Sequence, residues 1–296
     1  MTAAIGFVGA GRMGGRFAVR FAGNGHHVHA HDPDAAALDA LGGHGITVHD
    51  SLGGLVDAVE VIVLSLPLPS VVTAVATEIA ERAGGRTLTV IDTSTCGLEA
   101  SRAAGRTLAA AGVDFLDAPV SGGIAKAADG TLAVMVGGDE TVFARCEELL
   151  GEIGNQLFHV GREAGHGQVM KVVNNVLSHG ALALTSEAVT VATRAGIPIE
   201  TAVATLNAGS GRNSATQDKF PRSVIPGTYD FGWPLQGSVK DTRLYLDSAA
   251  ELGVRSVVGA AVVDAWERAV AAGWGDRDFT AIYAMYSEQA ANGSSR

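Results

Sequence analysis

Lys171 and Asn175 are the residues whose types and spacing best suit catalysis. They stand four positions apart in an apolar run with helical periodicity, so on a helix they lie on one face, one turn apart. An ammonium group and an amide on one face can hold an oxygen-bearing substrate and transfer a proton to or from it. A surface lysine beside a capping asparagine is the simpler interpretation. His179 continues the same face, and for it a packed, hydrogen-bonded histidine is favoured over a catalytic one.

The pair stands where the sequence pattern changes. Upstream, short apolar runs alternate with helical periodicity, whereas downstream only helical periodicity occurs. This pattern predicts an α/β domain over residues 1–163 and an all-α domain over residues 164–296, which begins with a long interdomain helix at about 167–194. Lys171 is then expected beside the cleft between the domains, where small-molecule sites commonly form.

The N-terminal end resembles a dinucleotide-binding fingerprint. An apolar run, Ala3 to Val8, leads directly into the glycine motif GAGRMG, and helical spacing follows. The glycines allow a tight turn, close approach of the backbone to a pyrophosphate, and close packing of the helix on the sheet. The N-terminus of the helix favours the anion. The predicted cofactor-binding residues of this motif are Gly9, Ala10, Gly11, Arg12, Met13 and Gly14.

Asp32 indicates which dinucleotide is bound. It follows a second predicted strand, Val28 to His31, and stands eighteen residues past the last glycine of the motif. An acidic side chain there can accept hydrogen bonds from the ribose hydroxyls of NAD, and it repels the extra phosphate of NADP. We therefore predict NAD as the cofactor, with NADP less favoured. An aspartate that only caps the turn before Pro33 is the alternative.

Two further apolar runs end in residues that are expected to line the cofactor site. The runs are Val59 to Leu66 and Thr87 to Ile91. In a doubly wound sheet, ligands bind outside the carboxyl ends of the strands. Leu66, Pro67 and Thr95 are therefore predicted to lie along the cofactor. Cys96 has no local base or cation beside it, so a structural role is the better interpretation.

Ser121, Gly122 and Gly123 place a hydroxyl beside two glycines. Backbone N–H groups that are exposed next to a hydroxyl can hold a carboxylate. A plain tight turn also uses glycines, so these residues alone leave both interpretations open.

The composition excludes several classes of protein. The net charge of −10 argues against nucleic acid or an anionic membrane as the main partner. The two cysteines belong to no Cys/His cluster, which predicts neither a disulfide framework nor a metal site. Because the sequence shows no targeting signal and no apolar segment that can span a bilayer, a cytoplasmic protein is expected. Alanine-rich helices that can pack between subunits predict a homodimer or homotetramer.

Four motifs occur in order along the chain. They are GAGRMG, DAPVSGG at 117–123, the glycine turn at 165–167 with Lys171 and Asn174-Asn175, and Lys240-Asp241. Together they resemble the β-hydroxyacid dehydrogenase family, which includes 3-hydroxyisobutyrate dehydrogenase and tartronate semialdehyde reductase. The resemblance covers essentially the whole chain. It implies a Rossmann-type N-terminal dinucleotide-binding domain and an all-α C-terminal domain of the 6-phosphogluconate dehydrogenase-like type.

The same resemblance implies a reaction and assigns roles. Lys171 would be the general acid/base in hydride transfer between a small β-hydroxy acid and its semialdehyde, and Asn175 would orient the substrate. The substrate would be a small carboxylate of the 3-hydroxyisobutyrate or tartronate semialdehyde (2-hydroxy-3-oxopropionate) type. The other implied contacts are with the substrate at Ser121, Gly122, Gly123, Asn174 and Lys240, and with the cofactor at Leu66, Pro67, Thr95 and Lys240.

Other functions share this architecture. A sugar-acid dehydrogenase, a threonate- or serine-type dehydrogenase, an imine reductase and a non-catalytic dinucleotide-binding homologue are the alternatives. By family resemblance, imine reductases and non-catalytic homologues replace the lysine, so Lys171 argues against both. The segment 126–132, KAADGTL, is more similar to tartronate semialdehyde reductases than to 3-hydroxyisobutyrate dehydrogenases.

Overall fold

The computed structural model describes residues 4–86 and 88–293, which divide into two compact units. One unit runs up to Lys171 and the other starts at Val172. The first contains a mixed, mainly parallel sheet with helices, and the second is helical, as the sequence predicts. Ala3 and Thr87, at the ends of two predicted strands, lie outside the described residues.

Strands and helices alternate through most of the first unit. Its strands are β1 (Ala4–Val8), β2 (His27–His31), β3 (Thr47–Val48), β4 (Val61–Leu64), β5 (Thr89–Asp92), β6 (Asp114–Asp117), β7 (Val120–Ser121), β8 (Ala133–Gly138) and β9 (Gln156–Gly161). Its helices are α1 (Gly14–Gly23), α2 (Ala35–Asp39), α3 (Leu52–Ala58), α4 (Pro69–Ala83), α5 (Gly97–Ala110), α6 (Gly123–Asp129) and α7 (Glu140–Ile153).

The strand order creates a switch point at β1. Neighbouring strands follow the order β3-β2-β1-β4-β5-β6-β8-β7, and β9 pairs with β8. The strands from β3 to β6 are parallel, whereas β8 runs antiparallel to β6 and β7. The chain leaves β1 towards β2 on one side and reaches β4 on the other. In doubly wound sheets, ligands bind at such a point, outside the carboxyl ends of the strands.

Helices cover both faces of this sheet, which explains why its strands are apolar runs rather than alternating ones. Successive residues of β1 point to opposite faces: Ile5 and Phe7 join the core that contains Phe17 of α1, and Val8 joins the core that contains Leu55 of α3. All of these side chains are buried. The β1–α1 loop is therefore held between two packed layers.

A 29-residue helix, α8 (His166–Arg194), leads from the first unit into the second. At 1.5 Å per residue it is ~43 Å long. The remaining elements are α9 (Ile199–Ala208), a π-helical segment (Ala215–Val224), α10 (Leu235–Glu251), α11 (Val257–Ala269), a second π-helical segment (Val270–Trp274), a 3₁₀ turn (Phe279–Ala281) and α12 (Ile282–Gly293). His179 of α8 is buried in edge-to-face contact with Trp266 and Phe279, as the packed interpretation predicts.

One face of α8 is apolar and exposed. Met170, Leu177, Leu184 and Val191 recur every seven residues, and their exposed fractions are 41%, 69%, 69% and 68%.

The homodimer or homotetramer expected from the sequence stays a prediction. No helix within residues 4–86 and 88–293 combines the length and apolar character needed to cross a bilayer.

Candidate active site

The glycine loop joins β1 to α1 and contains two positions that only glycine fits. Gly9 has a φ of +94°, and a Cβ atom there would lie 2.3 Å from the carbonyl oxygen of Ser65. A Cβ atom on Gly14 would lie 2.0 Å from the carbonyl oxygen of Gly9. Gly11 is different, because a Cβ atom there would meet nothing within 4 Å. The outer two glycines thus shape the turn and the packing, and the middle one keeps the loop open.

Asp32 directly follows β2 and contacts the same loop. Its Oδ2 atom accepts a hydrogen bond from the Ala10 backbone N–H at 2.7 Å, and its Oδ1 atom accepts one from the Asp34 N–H at 2.9 Å. The second bond stabilises the turn at Pro33, which is the role that the alternative interpretation gives to Asp32. The N-cap residue of α2 is Asp34, not Asp32. A carboxylate fixed at a glycine loop before a helix N-terminus fits a nicotinamide dinucleotide, with Asp32 for the ribose and α1 for the pyrophosphate.

The loops that follow β4 and β5 are joined to each other. Leu66 donates its backbone N–H to Ser94 Oγ at 2.8 Å, and Ser94 donates its own N–H to Asp92 Oδ1 at 2.9 Å. Ser94 and Asp92 are buried, Thr95 is half-buried, and Pro67 is exposed. Ser94 therefore connects Leu66 to the loop that contains Thr95, and both residues are predicted to line the cofactor.

Gln168 ties the start of α8 to the loop after β5. Its Oε1 atom accepts hydrogen bonds from the backbone N–H groups of Cys96 and Gly97 at 3.0 and 3.2 Å. Its Nε2 atom donates to the Ser94 carbonyl oxygen at 2.9 Å, and the side chain is fully buried. Because Lys171 stands three residues later on the same helix, the Gln168 contacts fix the Lys171 backbone relative to the Thr95 loop.

Asp117, the last residue of β6, accepts hydrogen bonds from backbone N–H groups at the start of α8. Its Oδ1 atom accepts a hydrogen bond from the Gly165 N–H at 2.8 Å, and its Oδ2 atom accepts one from the Gln168 N–H at 2.7 Å. A carboxylate is favourable at a helix N-terminus, where backbone N–H groups have no partner within the helix. Burial nevertheless raises the pKa of Asp117 to about 7; the two N–H groups act against this rise, and the nearby Asp92 carboxyl adds to it.

Strand β8 brings the Ser121 loop close to the start of α8. Ser121 pairs with Ala133 of β8, and a Cβ atom on Gly167 would lie 2.3 Å from the carbonyl oxygen of Met135. Ala133 and Met135 are two residues apart, which is ~7 Å along a strand. The two glycines that follow Ser121 have positive φ values of +140° and +81°, so their backbone requires glycine.

The second unit holds Asn174, Asn175 and Lys240 around one buried carboxylate, Asp241. Asn175 Nδ2 donates to Asp241 Oδ2 at 2.8 Å, and Asn174 Nδ2 donates to Asn175 Oδ1 at 3.2 Å. Lys240 Nζ forms an ion pair with Asp241 Oδ1 at 3.4 Å. Asp241 is 3% exposed and the Lys240 side chain is 29% exposed. These contacts fix which way the Asn175 amide faces.

Two family models match the chain. The NAD-binding domain of 6-phosphogluconate dehydrogenase matches residues 4–161, more than half of the chain. The NAD-binding domain of NADP-dependent 3-hydroxyisobutyrate dehydrogenase matches residues 165–286. The chain belongs to the β-hydroxyacid dehydrogenase family. It is accordingly an NAD(P)-dependent oxidoreductase of the hydroxyacid dehydrogenase type.

Relatives in this family align along almost their whole length. A 2-(hydroxymethyl)glutarate dehydrogenase of Eubacterium barkeri is 30% identical, over 96% of this chain and 95% of its own. A probable 3-hydroxyisobutyrate dehydrogenase of Mycobacterium tuberculosis is 31% identical, over 94% and 96% respectively. The solved structure of a Mycobacterium tuberculosis 3-hydroxyisobutyrate dehydrogenase with L-serine has a TM-score of 0.89 and 30% identity, over 96% of this chain and 99% of that one.

Three residues of this β-hydroxyacid dehydrogenase were given no role by the sequence. Asp117 lies within the DAPVSGG motif, Gln168 between the glycine turn and Lys171, and Asp241 beside Lys240. Each is polar and almost wholly buried. For Asp117 and Gln168 the available signal was a polar residue near a predicted helix start, because the first N–H groups of a helix need acceptors from outside that helix. Asp241 lies in the middle of α10, and no such signal marks it.

The glycine loop permits a prediction that separates folding from cofactor binding. We expect Gly14→Ala to destabilise the first unit, because its Cβ atom overlaps a carbonyl oxygen that the surrounding layers hold in place. We expect Gly11→Ala to fold normally but to bind NAD at least ~10-fold more weakly, because its methyl group occupies the open side of the loop. Amide hydrogen exchange measures the first effect and calorimetry the second. Wild-type NAD affinity in Gly11→Ala would contradict the assignment of this loop to the pyrophosphate.

Proposed function

We propose that the protein interconverts a small β-hydroxy acid and its semialdehyde, using NAD, with Lys171 as the general acid/base. The observation that carries this proposal is the attachment of the Lys171 helix, through Gln168, to the loop that contains Thr95. Bound NAD supplies the hydride acceptor, and NADH the hydride donor, at the nicotinamide ring. The chain's own residues bind the acid, orient it and move its hydroxyl proton.

Lys171 is proposed to move that proton. During oxidation its amine takes the proton from the substrate hydroxyl, and during reduction its ammonium returns a proton to the carbonyl oxygen. General acid–base catalysis by one positioned side chain contributes about 10²- to 10⁴-fold to the rate. Asn175 is proposed to hold the substrate oxygen, and its amide orientation is supported by the hydrogen bond to Asp241.

The substrate carboxylate is proposed to bind at Ser121, Gly122 and Gly123, where a hydroxyl and backbone N–H groups are available. Lys240 and Asn174 are proposed to complete the contacts, with the ammonium of Lys240 facing the anionic substrate and the cofactor. Support for Lys240 comes from Asp241, whose carboxylate holds the ammonium group at 3.4 Å.

NAD is proposed over NADP because of Asp32. The carboxylate is held at the glycine loop by Ala10, where it can accept hydrogen bonds from a ribose. A second negative charge from the NADP phosphate would be repelled there. The family model that matches the C-terminal part takes its description from an NADP-dependent enzyme and does not favour NAD. The proposed preference for NAD over NADP therefore rests on Asp32 of this chain.

The substrate class is proposed from what the relatives' substrates share. 3-Hydroxyisobutyrate and 2-(hydroxymethyl)glutarate both carry a hydroxymethyl group on the carbon next to a carboxylate. Glycerate, the reduced partner of tartronate semialdehyde, has the same arrangement with a hydroxyl as the third substituent. We therefore propose a 2-(hydroxymethyl) carboxylate, oxidised at its primary alcohol.

Initial rates test this proposal. Oxidation is measured with NAD⁺ and with NADP⁺ against 3-hydroxyisobutyrate, 2-(hydroxymethyl)glutarate, glycerate, serine and threonate. We expect turnover with at least one of the 2-(hydroxymethyl) acids and a higher kcat/KM with NAD⁺ than with NADP⁺. A higher kcat/KM with NADP⁺ would make the Asp32 assignment wrong. No turnover with any acid, while calorimetry detects bound NAD⁺, would favour the non-catalytic homologue.

A further inference from the structure

Lys219 is a buried lysine that the proposed chemistry does not use. Lysine is rare in this chain, with four residues against seventeen arginines. Lys219 lies in the π-helical segment Ala215–Val224 and is 6% exposed. Its Nζ atom donates hydrogen bonds to Ser178 Oγ and Ser214 Oγ, each at 3.1 Å. Within the described part of the chain, no carboxylate forms an ion pair with it.

A buried ammonium group without a counter-ion is costly, because burial removes its hydration and hydroxyl dipoles replace only part of it. Burial accordingly lowers the pKa of Lys219, although the charge of Asp218 acts in the opposite direction. An ammonium group has three N–H donors, and the two serines accept from two of them. The Phe231 ring, whose centroid lies 5.9 Å from Nζ, gives the ammonium group only a weak third contact. The site therefore lacks a third oxygen acceptor and a negative charge.

The position of Lys219 relates it to the proposed reaction. Ser178 stands three residues after Asn175 and seven after Lys171 on α8. At 100° and 1.5 Å per residue, Ser178 lies within ~20° of Lys171 around the helix, ~10 Å further along it, and ~4.5 Å beyond Asn175. Lys219 thus contacts the helix face that carries the proposed catalytic pair.

We propose that Lys219, Ser178 and Ser214 bind a second carboxylate of the substrate. This inference rests on the proposed function, because it names which 2-(hydroxymethyl) acids the enzyme prefers: diacids, whose second carboxylate is several bonds from the reacting alcohol. A carboxylate would accept the third N–H of Lys219 and the O–H groups of the two serines, whose oxygens already accept from the ammonium. It would supply the acceptor and the charge that the site lacks.

A matched pair of substrates tests the proposal. 2-(Hydroxymethyl)glutarate and 2-(hydroxymethyl)pentanoate differ only in the end of the side chain, a carboxylate in the first and a methyl group in the second. We expect the wild-type kcat/KM to favour the diacid at least ~10-fold, and Lys219→Met to lower this ratio by ~10- to 100-fold, the size expected for hydrogen bonds to a charged group. The methionine side chain is similar in length to that of lysine but carries no charge.

Arg222→Met is the matched control. Arg222 lies three residues further along the same π-helical segment, and like Lys219 it faces the Phe231 ring, but it is exposed and paired with Asp218. We expect this variant to keep the wild-type ratio, which would exclude a general effect of lost positive charge. A lowered ratio in Arg222→Met equal to that in Lys219→Met would overturn the proposal.

Two further outcomes are decisive. A wild-type enzyme that oxidises both acids without favouring the diacid would overturn the second carboxylate site and leave the proposed function intact. If neither of the two matched acids is oxidised, calorimetry with glutarate and pentanoate on the wild-type protein decides the site alone. The proposed function itself fails only if none of the 2-(hydroxymethyl) acids named above is oxidised. Preferential binding of glutarate supports the site, and equal or absent binding rejects it. The same calorimetry decides the question if Lys219→Met does not fold.

Discussion

Lys171→Ala is expected to lower kcat for the preferred 2-(hydroxymethyl) acid by ~10²- to 10⁴-fold, the usual contribution of one general acid–base group. NAD affinity should stay close to that of the wild type, because none of the proposed cofactor contacts is made by the Lys171 side chain. Initial rates measure the first quantity and calorimetry the second. Near-normal turnover in Lys171→Ala would remove Lys171 from the mechanism.

A second substitution at the same position separates proton transfer from charge. Lys171→Arg keeps a positive charge, but a guanidinium group does not release its proton in a protein. We expect its kcat to fall nearly as far as that of Lys171→Ala. Full activity in the arginine variant would mean that the residue acts by charge alone. Met170→Ala, at an exposed neighbour on α8, is the control for disturbance of the helix.

Asp117→Asn is expected to loosen the start of α8. An asparagine has one carbonyl oxygen, so only one of the Gly165 and Gln168 N–H groups keeps an acceptor and the other meets an NH₂ group. A buried donor without a partner costs about 1–3 kcal/mol. Hydrogen-exchange protection of the Gly165 and Gln168 amides measures this loss directly, and kcat should fall with it because Lys171 is on the next turn.

The free energy of unfolding of the wild type, compared with that of Asp117→Asn, depends on pH in a direction that follows from the pKa of Asp117. The pKa of Asp117 in the folded protein is raised to about 7, so the folded state binds this proton more tightly than the unfolded state does. The stability that this adds is present at acidic pH and is lost as pH rises through about 7. The free energy of unfolding of the wild type should therefore exceed that of Asp117→Asn by more at pH 5 than at pH 8. An advantage that grows with pH would contradict this assignment.

Asp139→Asn is the control for the pH series. Asp139 also accepts hydrogen bonds at a helix N-terminus, that of α7, but it is exposed at the surface. The side-chain hydrogen bond from Thr141 lowers the pKa of Asp139, the opposite of the shift at Asp117. Its contribution is lost only as pH falls below the ordinary range of a carboxyl group. The protection of α7 in this variant should therefore differ from the wild type by the same amount at pH 5 and pH 8.

Local patterns made part of this molecule predictable from its sequence. The β1–α1 turn, the Asp32 position and the ends of β4 and β5 follow from short apolar runs and glycine spacing, which a few neighbouring residues determine. The long helix that carries Lys171 follows from its periodicity. The sequence did not predict that β8 turns back antiparallel to β6, because strand direction depends on how distant segments pair.

The contacts that fix the site could not be predicted from the sequence either, because they also join segments that are far apart along the chain. Asp117 bonds to residues 48 and 51 positions away, and Asn175 bonds to Asp241 across 66 positions. No periodicity records such a pairing. Lys219 was missed for another reason: its segment is π-helical, so its buried residues recur at a spacing wider than the 3.6 residues of an α-helix.

The scarcity of lysine has a practical consequence for the chemistry used to label or immobilise this protein. Lys126 is the exposed lysine of the four, and its side chain lies over Gly122, where an added Cβ atom would come within 2.8 Å of Lys126 Cδ. Acylating dyes and amine-coupled sensor surfaces should therefore modify the chain beside the loop proposed to hold the substrate carboxylate. Affinities measured that way would reflect an obstructed loop. Conversely, the rate at which a small reagent acylates Lys126 provides a mass-spectrometric measure of whether that loop is occupied.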